Sequence, residues 1–456
     1  MITIQMKTKK ILYKKLVSIH ILKIWVLSLA LMSLSFSGQA QIWSLQQCID
    51  TALVYNKNLQ ISRNNMELGT EREQEAKANL LPKVNLNADY KYYTEQPYQL
   101  MPQTTFGGPE GQFKEIQMGV PHNMSANIQL AMPLYNPQVY GAIQTTKIAS
   151  GLSELQYKKT EEQVFFEISN LYYNAQILVH QQQFIEGNLE NTQKLLETLE
   201  LLHSQLMIKK SDVSKVALQK EQLITQHELV KSNLDQVMNA LKFSMGISIR
   251  QNLEIETEIL HQQASVYSLH QPIDLEIAIT QNKLMANELS TLKNSRLPSV
   301  SLYGSYGQAG FGYDEKPNDF LKFYPVSFGG LQLTVPIFNG TVTKRKINQK
   351  KIEIQNSELQ INNVAEQNNM LIENATRKRF VTQQTIENTT NQIDLAKTVY
   401  DEMVLQQKQG TSSLTEILLA DNALREAQQN QLTAIIDYLK ADLDLKKLTG
   451  NISLKN

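Results

Sequence analysis

The chain is 456 residues long with only 19 glycines and 12 prolines, which excludes a string of loop-rich globules and favours long helices with few turns. Lys plus Arg and Asp plus Glu balance at 44 each, yet six lysines and no acid fall in the first forty residues, so the remainder is mildly acidic and a poor nucleic-acid binder. The single cysteine, Cys48, excludes an intrachain disulfide and any multi-thiolate metal site.

The lysine-rich start (Lys7, Lys9, Lys10, Lys14, Lys15, Lys23) precedes an apolar run from Ile24 to Phe36 and then Gly38-Gln39-Ala40. That is the pattern of a secretory signal with a small-x-small cleavage site, so residues 1–40 are expected to leave and Gln41 to become the mature N-terminus. The apolar run is shorter than the roughly 20 residues a spanning helix needs. No later stretch is apolar for about 18 residues, so membrane contact after Ala40 falls to strands or to a surface.

Ser44 and Gln47 stand at capping-box spacing and open a helix expected to reach Asn79. After Leu81-Pro82, Val84, Leu86, Ala88, Tyr90 and Tyr92 alternate with Lys83, Asn85, Asn87, Asp89 and Lys91, a strand with one dry and one wet face. Beyond a polar loop containing Gly and Pro, Met124, Ala126, Ile128, Leu130 and Met132 alternate with Asn123, Ser125, Asn127 and Gln129. Pro133-Leu134-Tyr135-Asn136 ends that strand. A coiled-coil stripe follows on a helix expected over 138–208, running Leu171, Ala175, Leu178, Gln182, Ile185, Leu189, Thr192, Leu196, Leu199. After a break near Lys209-Lys210-Ser211-Asp212, a second stripe from Val213 to Leu241 runs back, which makes an antiparallel helical hairpin ending near Gly246. Residues 247–271 read as an irregular connector.

The order then repeats. A helix from Asp274 to Ser295 leads to Leu297-Pro298, and Val300, Leu302, Gly304 and Tyr306 alternate with Ser299, Ser301 and Ser305. In the fourth strand Val326 and Phe328 are out of phase with Leu331, Leu333 and Val335, and a one-residue bulge at Gly329-Gly330 is expected to restore the frame. Pro336-Ile337-Phe338-Asn339-Gly340 closes the strand pair. Helices over 341–409 and 412–448 form a second hairpin, capped at Gly410. The expected organisation is a signal peptide (1–40), a first repeat (41–246), a connector (247–271), a second repeat (272–450) and a short tail (451–456).

Alternation alone is equally what a half-buried soluble sheet shows. Two features favour a membrane. No other strand-like segment supplies a second layer, and Tyr90, Tyr92, Tyr93, Tyr303 and Tyr306 sit near strand ends where an aromatic girdle lies. Each strand has about the ten residues a tilted strand needs to cross a bilayer. Four strands cannot close a barrel, so the chain must oligomerise; two copies give eight strands and three give twelve. With channel water on the wet side, Asn85, Asn87, Asp89, Asn127 and Gln129 face the lumen. The fold class is therefore mainly α with a β-barrel part: four transmembrane β-strands per chain and long coiled-coil hairpins, from an internal duplication.

Reactive groups do not converge. Seven histidines are scattered without a metal-binding spacing, and no GxSxG or P-loop occurs. Gly304, Gly307, Gly310 and Gly312 straddle a strand end with no helix following, which reads as loop flexibility. Cys48 reads as a small buried side chain, and the basic run Lys344-Arg345-Lys346 with Lys350-Lys351 as a solvated face. No enzyme activity, cofactor, metal or nucleic-acid partner is expected.

Taken together these residues resemble the outer-membrane efflux protein family, the TolC-type exit ducts of Gram-negative bacteria. The carriers are Ser44-Leu45-Gln46-Gln47-Cys48-Ile49 leading to Asn56-Lys57-Asn58-Leu59, the strand starts at Leu81-Pro82 and Leu297-Pro298, the two proline-led strand ends, and Gly410-Thr411-Ser412-Ser413-Leu414-Thr415-Glu416-Ile417-Leu418. The resemblance implies a homotrimer with a twelve-stranded barrel in outer-membrane lipid and a periplasmic tube, working with a periplasmic adaptor (membrane fusion protein) and an inner-membrane transporter of RND or ABC type. In that arrangement Pro82, Pro133, Pro298 and Pro336 are hinges between barrel and tube, and the closed tip lies at Gly410, Ser412, Glu416 and Leu419. The family's second acidic position is Leu419 here, its arginine Ser412 and its tyrosine Gln407, so the tip is expected to close on a Glu416 ring and an apolar Leu419 constriction. The main rival, a periplasmic coiled-coil adaptor or scaffold, would share the signal and hairpins but bring a domain of many short strands.

Overall fold

A computed structural model of the chain describes residues 42–259, 267–313 and 322–452. The expected signal and its cleavage point at Ala40 and Gln41 lie outside the described residues. Elements are numbered in chain order: β1 (Ile42–Trp43), α1 (Leu45–Tyr55), α2 (Lys57–Ala78), β2 (Lys83–Tyr92), β3 (Tyr98–Pro102), β4 (Phe113–Gln117), β5 (His122–Tyr135), α3 (Pro137–Ser204), α4 (Lys210–Met245), β6 (Glu254–Ile255), α5 (Ile273–Asn294), β7 (Ser299–Gly312), β8 (Lys322–Thr334), α6 (Val342–Lys408) and α7 (Leu414–Leu448).

The opening helix is two helices, not one. Ser44 and Gln47 do form a capping box, but the chain turns at Asn56. Its Oδ1 accepts from Leu59 N at 3.0 Å, capping α2, and its Nδ2 donates to Ser244 O at 2.7 Å, tying the break to the end of α4. The main core gathers around this joint: Cys48, Ile49, Leu59, Ile168, Tyr172, Leu241 and Met245 are buried together with Leu253 and Ile255. Burial, with a smaller contribution from Glu256, pushes the Cys48 thiol up to about 12, so it stays a protonated packing group. The connector is correspondingly more ordered than its polarity suggests. Its β6 pairs in parallel with β1, and Gln176 Nε2 donates to the carbonyls of Glu256 and Glu258 at 2.8 and 3.0 Å.

The four long strands form one antiparallel sheet in the order β2-β5-β7-β8, with β2 and β8 at its edges. Three sequence expectations are corrected here. The loop after β2 holds a further hairpin, β3 against β4. The Gly329-Gly330 pair is not a bulge, because the β7–β8 register runs unbroken from Ser299↔Thr334 to Phe311↔Lys322. The ladder is instead interrupted in β5, between Pro133 and Tyr135. The glycines of β7 are strand residues, not a flexible loop: a Cβ on Gly307 would stand 2.4 Å from Ala126 O, so the neighbouring backbone has taken that space.

Helix α3 has 68 residues and so extends about 100 Å. It turns into α4 over 205–209, slightly earlier than the lysine pair suggested, with Leu206 in the left-handed region at φ 61°. Hairpins α3–α4 and α6–α7 lie side by side, and α5 bridges their upper parts: Asn287 Nδ2 donates to Thr145 Oγ1 at 2.9 Å, and Lys350 joins Glu288 at 2.8 Å. Among the described residues no helix is long and apolar enough to cross a membrane.

Where α3 meets the first turn of α5 and the last turn of α7, Glu162 is half-buried near Lys447, Asp274 and Glu276, and burial raises its carboxyl from 4.5 to about 7. Between those values the folded chain holds a proton that the unfolded chain has released, so this group makes stability fall as pH rises through that window. Glu162→Gln is expected to raise the melting temperature of the detergent-solubilised protein at pH 8 by an amount worth ~1–2 kcal/mol, and to leave it unchanged at pH 4.5. A pH-independent difference would show that a lost contact, not a buried charge, is responsible.

Candidate functional site

The sheet has two chemically distinct faces, and the register decides which residues share them. Asn85 pairs opposite Gln129, Asn87 opposite Asn127 and Asp89 opposite Ser125. The next strand adds Ser305 beside Gln129 and Gly307 beside Asn127. All five sequence-predicted lumen residues thus fall on one hydrophilic face, and Ser125 Oγ donates to Asp89 Oδ1 at 2.5 Å across it. On the reverse face Val84 meets Leu130 and Leu86 meets Ile128. Leu86 is 72% exposed with nothing packed on it, an arrangement that suits lipid and penalises water. Tyr90, Tyr92 and His122 gather at the far end of this apolar face, with the Tyr92 and His122 rings 4.8 Å apart. Tyr303 belongs to the hydrophilic face instead, packed over Gly330 and edge-on to Phe328, so it is not part of the expected girdle.

Pro82 and Pro298 stand immediately before β2 and β7, and Pro336 follows β8 in the extended segment ahead of α6. Pro133 differs. It lies inside β5 at the ladder interruption, and the passage into α3 is made by Asn136, whose Oδ1 accepts from Gln138 N at 3.0 Å, with Pro137 in the first helical turn.

At the other end, α6 stops at Gly410, whose φ of 75° is the left-handed conformation that ends helices. Ser413 then caps α7 in a capping box with Glu416. The Glu416 carboxylate accepts from Ser413 N at 2.7 Å, Ser412 Oγ at 2.9 Å and Ser413 Oγ at 3.0 Å. These bonds, the backbone one foremost, hold it below the usual carboxylate range. Leu414 and Leu418 pack on Leu196, Leu199 and Val216 of the first hairpin. Glu416 and Leu419 take the opposite side of α7, and Leu419 is 65% exposed. The structure therefore brings Gly410, Ser412, Glu416 and Leu419 together at one tip.

Sequence reasoning missed a buried polar cluster two turns further along. Asp421 is ion-paired with Arg425 on the same helix and accepts from Gln219 Nε2 of α4 at 2.6 Å. Arg425 Nη2 reaches Thr192 Oγ1 of α3 at 3.3 Å. Burial pushes the Asp421 carboxyl up, opposed by Arg425 and Gln219; burial, with Asp421, likewise raises the Tyr400 phenol from α6. In sequence, Asp421 and Arg425 look like an ordinary surface pair at i, i+4. The signal was their place among Ile417, Ala420 and Leu424, all buried. Among the described residues no His, Cys, Asp or Glu group is arranged to hold a metal.

Comparison with known proteins agrees with this geometry. The family model described as Outer membrane efflux protein matches residues 48–247 and 286–451. Outer membrane protein TolC of Salmonella enteritidis is 18% identical over 429 residues, covering 92% of this chain and 84% of that protein. TolC of Escherichia coli (strain K12) is 19% identical over 445 residues with the same coverage. Among solved structures, the CmeC outer membrane channel of Campylobacter jejuni superposes with a TM-score of 0.74 at 16% identity, covering 89% of this chain and 85% of the other. The open state of the MtrE outer membrane channel of Neisseria gonorrhoeae gives 0.71 at 17%, covering 89% and 88%.

The cluster around Asp421 makes a specific demand. Arg425→Leu strips a buried carboxylate of its countercharge, a loss on the order of 3 kcal/mol. Amide hydrogens over 414–424 are expected to exchange at least tenfold faster in detergent, and Asp421→Asn added to Arg425→Leu to recover most of the protection. Unchanged exchange in the single variant would mean that the cluster holds nothing.

Proposed function

The chain belongs to the outer membrane efflux protein family, whose members are outer-membrane exit ducts rather than enzymes, and from that premise we propose how its copies assemble and how the duct is gated. Three copies join edge to edge, β2 of one against β8 of the next, into a twelve-stranded barrel in outer-membrane lipid. Each copy adds its two helical hairpins to a periplasmic tube. An inner-membrane transporter of RND or ABC type, coupled through a periplasmic adaptor, opens the tip.

The observation that carries this reading is the open four-stranded sheet: among the described residues its apolar face has no cover and its two edges no partners. In hydrocarbon an unpaired strand edge is not tolerated, so the sheet must close through other copies. Eight strands make a barrel that side chains fill. Twelve leave a water-filled lumen, and the hydrophilic face of Asn85, Asn87, Asp89, Asn127 and Gln129 would line it.

The helices support the same assembly. Ile352, Leu359, Met370, Val381, Leu395 and Val399 are all exposed in the single chain, and at about 100° per residue they lie in one narrow stripe along α6. On α4, Leu218, Leu229 and Phe243 form a second exposed stripe. A neighbouring copy on each side would bury both. The family's members are conduits and not enzymes, so on this reading cargo passes downhill through a polar conduit. Movement of α6–α7 against α3–α4 at the Glu416 and Leu419 tip sets whether the conduit is open.

Single cysteines offer a direct test of the barrel in intact outer membranes. Asn87→Cys and Asn127→Cys are expected to react with a hydrophilic maleimide at least tenfold faster than Leu86→Cys and Ile128→Cys; equal rates would remove the lipid from the apolar face and the barrel with it. At the tip, Glu416→Ala combined with Leu419→Ser is expected to raise single-channel conductance in planar bilayers severalfold, and no change would place the constriction elsewhere. Finally, Leu359→Glu with Val381→Glu is expected to convert the trimer to monomer in light scattering of the detergent-solubilised protein, with helix content retained. Persistence of the trimer would exclude the α6 stripe from the subunit contact.

A further inference from the structure

The hydrophilic face of the sheet is not uniform. The registers carry straight across the four strands, so that Asn87, Asn127, Gly307 and Val326 lie in one row. In this row and its neighbours β2 and β5 present amides, hydroxyls and charges, whereas β7 and β8 present rings. Phe311 packs against Tyr324 and Tyr303 against Phe328, with ring centres 6.1 and 6.2 Å apart, and Val326 fills the level between the two pairs. Gly330 makes the second pair possible, because a Cβ there would stand 2.9 Å from the Tyr303 ring. All five apolar side chains are exposed.

Stability gives no reason for this placement. Cross-strand aromatic pairs support a sheet on either face, and on the lipid face their apolar area would leave water altogether. Closing the barrel does not cover them, since pairing at the edges of β2 and β8 continues the sheet and leaves every side chain on its own face. An aromatic stripe about 20 Å long thus stays open to water, and such a surface marks a contact.

Charge indicates what it contacts. Every Lys, Arg, Asp and Glu of the four strands lies on this same face: Lys83, Lys91 and Lys322 against Asp89. Asp89 is already met, by Ser125 Oγ and by Lys91 at 3.7 Å. Lys322 is level with Phe311 and Lys83 with Tyr303, so cations stand at both ends of the stripe. Lys83 Nζ donates to Asn79 Oδ1, and among the described residues neither Lys83 nor Lys322 has an acidic partner.

We propose that this stripe is a cargo contact inside the barrel that favours aromatic organic anions, whose rings stack on Tyr303, Tyr324 and Phe328 while the lysines at its two ends draw the charge. Open to water on one side, the contact is weak, as a conduit requires of a site that cargo must enter and leave. This rests on the barrel proposed above.

Pyrenetetrasulfonate, a planar aromatic anion charged enough to stay out of detergent micelles, tests it by fluorescence anisotropy with the purified full-length protein at low salt. The wild type is expected to bind it. Tyr324→Ser with Phe328→Ser is expected to weaken binding about tenfold, the effect of two lost stacking contacts, and Lys83→Gln with Lys322→Gln about threefold. Tyr324→Phe with Phe328→Tyr keeps both rings and is expected to bind as the wild type does. Absence of binding by the wild type, or undiminished binding by the serine variant, overturns the proposal. So does displacement of the probe by ethanesulfonate as readily as by naphthalenesulfonate, which would reduce the site to its charges.

Cysteine protection in outer membranes gives a readout that spares the rings; Cys48 remains, being wholly buried. Pyrenetetrasulfonate is expected to slow labelling of Val326→Cys by a hydrophilic maleimide at least threefold and to leave Asn127→Cys, in the same row, unaffected. If both label freely and neither is slowed, the cargo contact is overturned and the barrel stands. If both react only with a lipid-soluble maleimide, the barrel reading fails and this one with it.

Discussion

Backbone amides at a strand edge have nowhere to donate inside a bilayer, and the chain leaves such edges on β2 and β8. Each unmet group costs several kcal/mol in hydrocarbon. The long hairpins follow from that constraint in a concrete way. A barrel shared among copies holds only if something fixes the copies relative to one another outside the lipid. On the trimer reading the exposed stripes of α6 and α4 are where such contacts would be made. The exposed stripe on α6 and the unpaired edges of the sheet are two expressions of one incompleteness: the single chain buries its core around Cys48 and Tyr172 but neither its barrel face nor its flanks.

Much of this was legible because period-2 and heptad patterns report directly on which face meets water. The paired Asn87 and Asn127, the capping boxes at Ser44 and Ser413 and the two helical hairpins all follow from local spacing. What escaped is set by tertiary contacts. Asn56 breaks a good helical pattern because its amide is claimed by Ser244 O, 188 residues away in sequence. The β3–β4 hairpin places Leu100 and Met101 side by side, so no alternation announces it. At Gly329-Gly330 the change of phase is genuine but needs no bulge: a Cβ on Gly330 would stand 2.9 Å from the Tyr303 ring, so glycine there makes room for an aromatic cluster on the hydrophilic side.

The tip shows how one residue is shared between folding and function. The sequence marks Glu416 as a gate acid, and its carboxylate is engaged at its own helix end, with three donors from Ser412 and Ser413. On the trimer reading, three such carboxylates still approach the axis, yet their charge is drawn toward the positive end of α7. Mutual repulsion is thereby reduced. On the same reading Leu419, one turn on, would exclude water between them. Such a tip would close without the arginine and tyrosine that the family places nearby, since Ser412 and Gln407 stand at those positions.

On the gated-duct reading closure must also be reversible, and the polar cluster beneath the tip would set the scale. To move α7 away from the first hairpin, Gln219 must leave Asp421 and Arg425 must leave Thr192, while the Asp421–Arg425 pair travels intact on one helix. Hydrogen bonds to charged groups contribute roughly 1.5–3 kcal/mol each. Two per copy, partly replaced by water as the gap opens, give an opening cost of a few kcal/mol per hairpin. Differential binding by a partner of about 5.5 kcal/mol shifts such an equilibrium from almost closed to almost open. Had the cluster been wholly apolar, opening would expose Leu414 and Leu418 with no compensating hydration. On that reading, polar groups at this layer would let the hairpins separate into water at a cost that protein contacts can meet, which gives Asp421 and Arg425 a physical reason to sit in an otherwise leucine-rich seam.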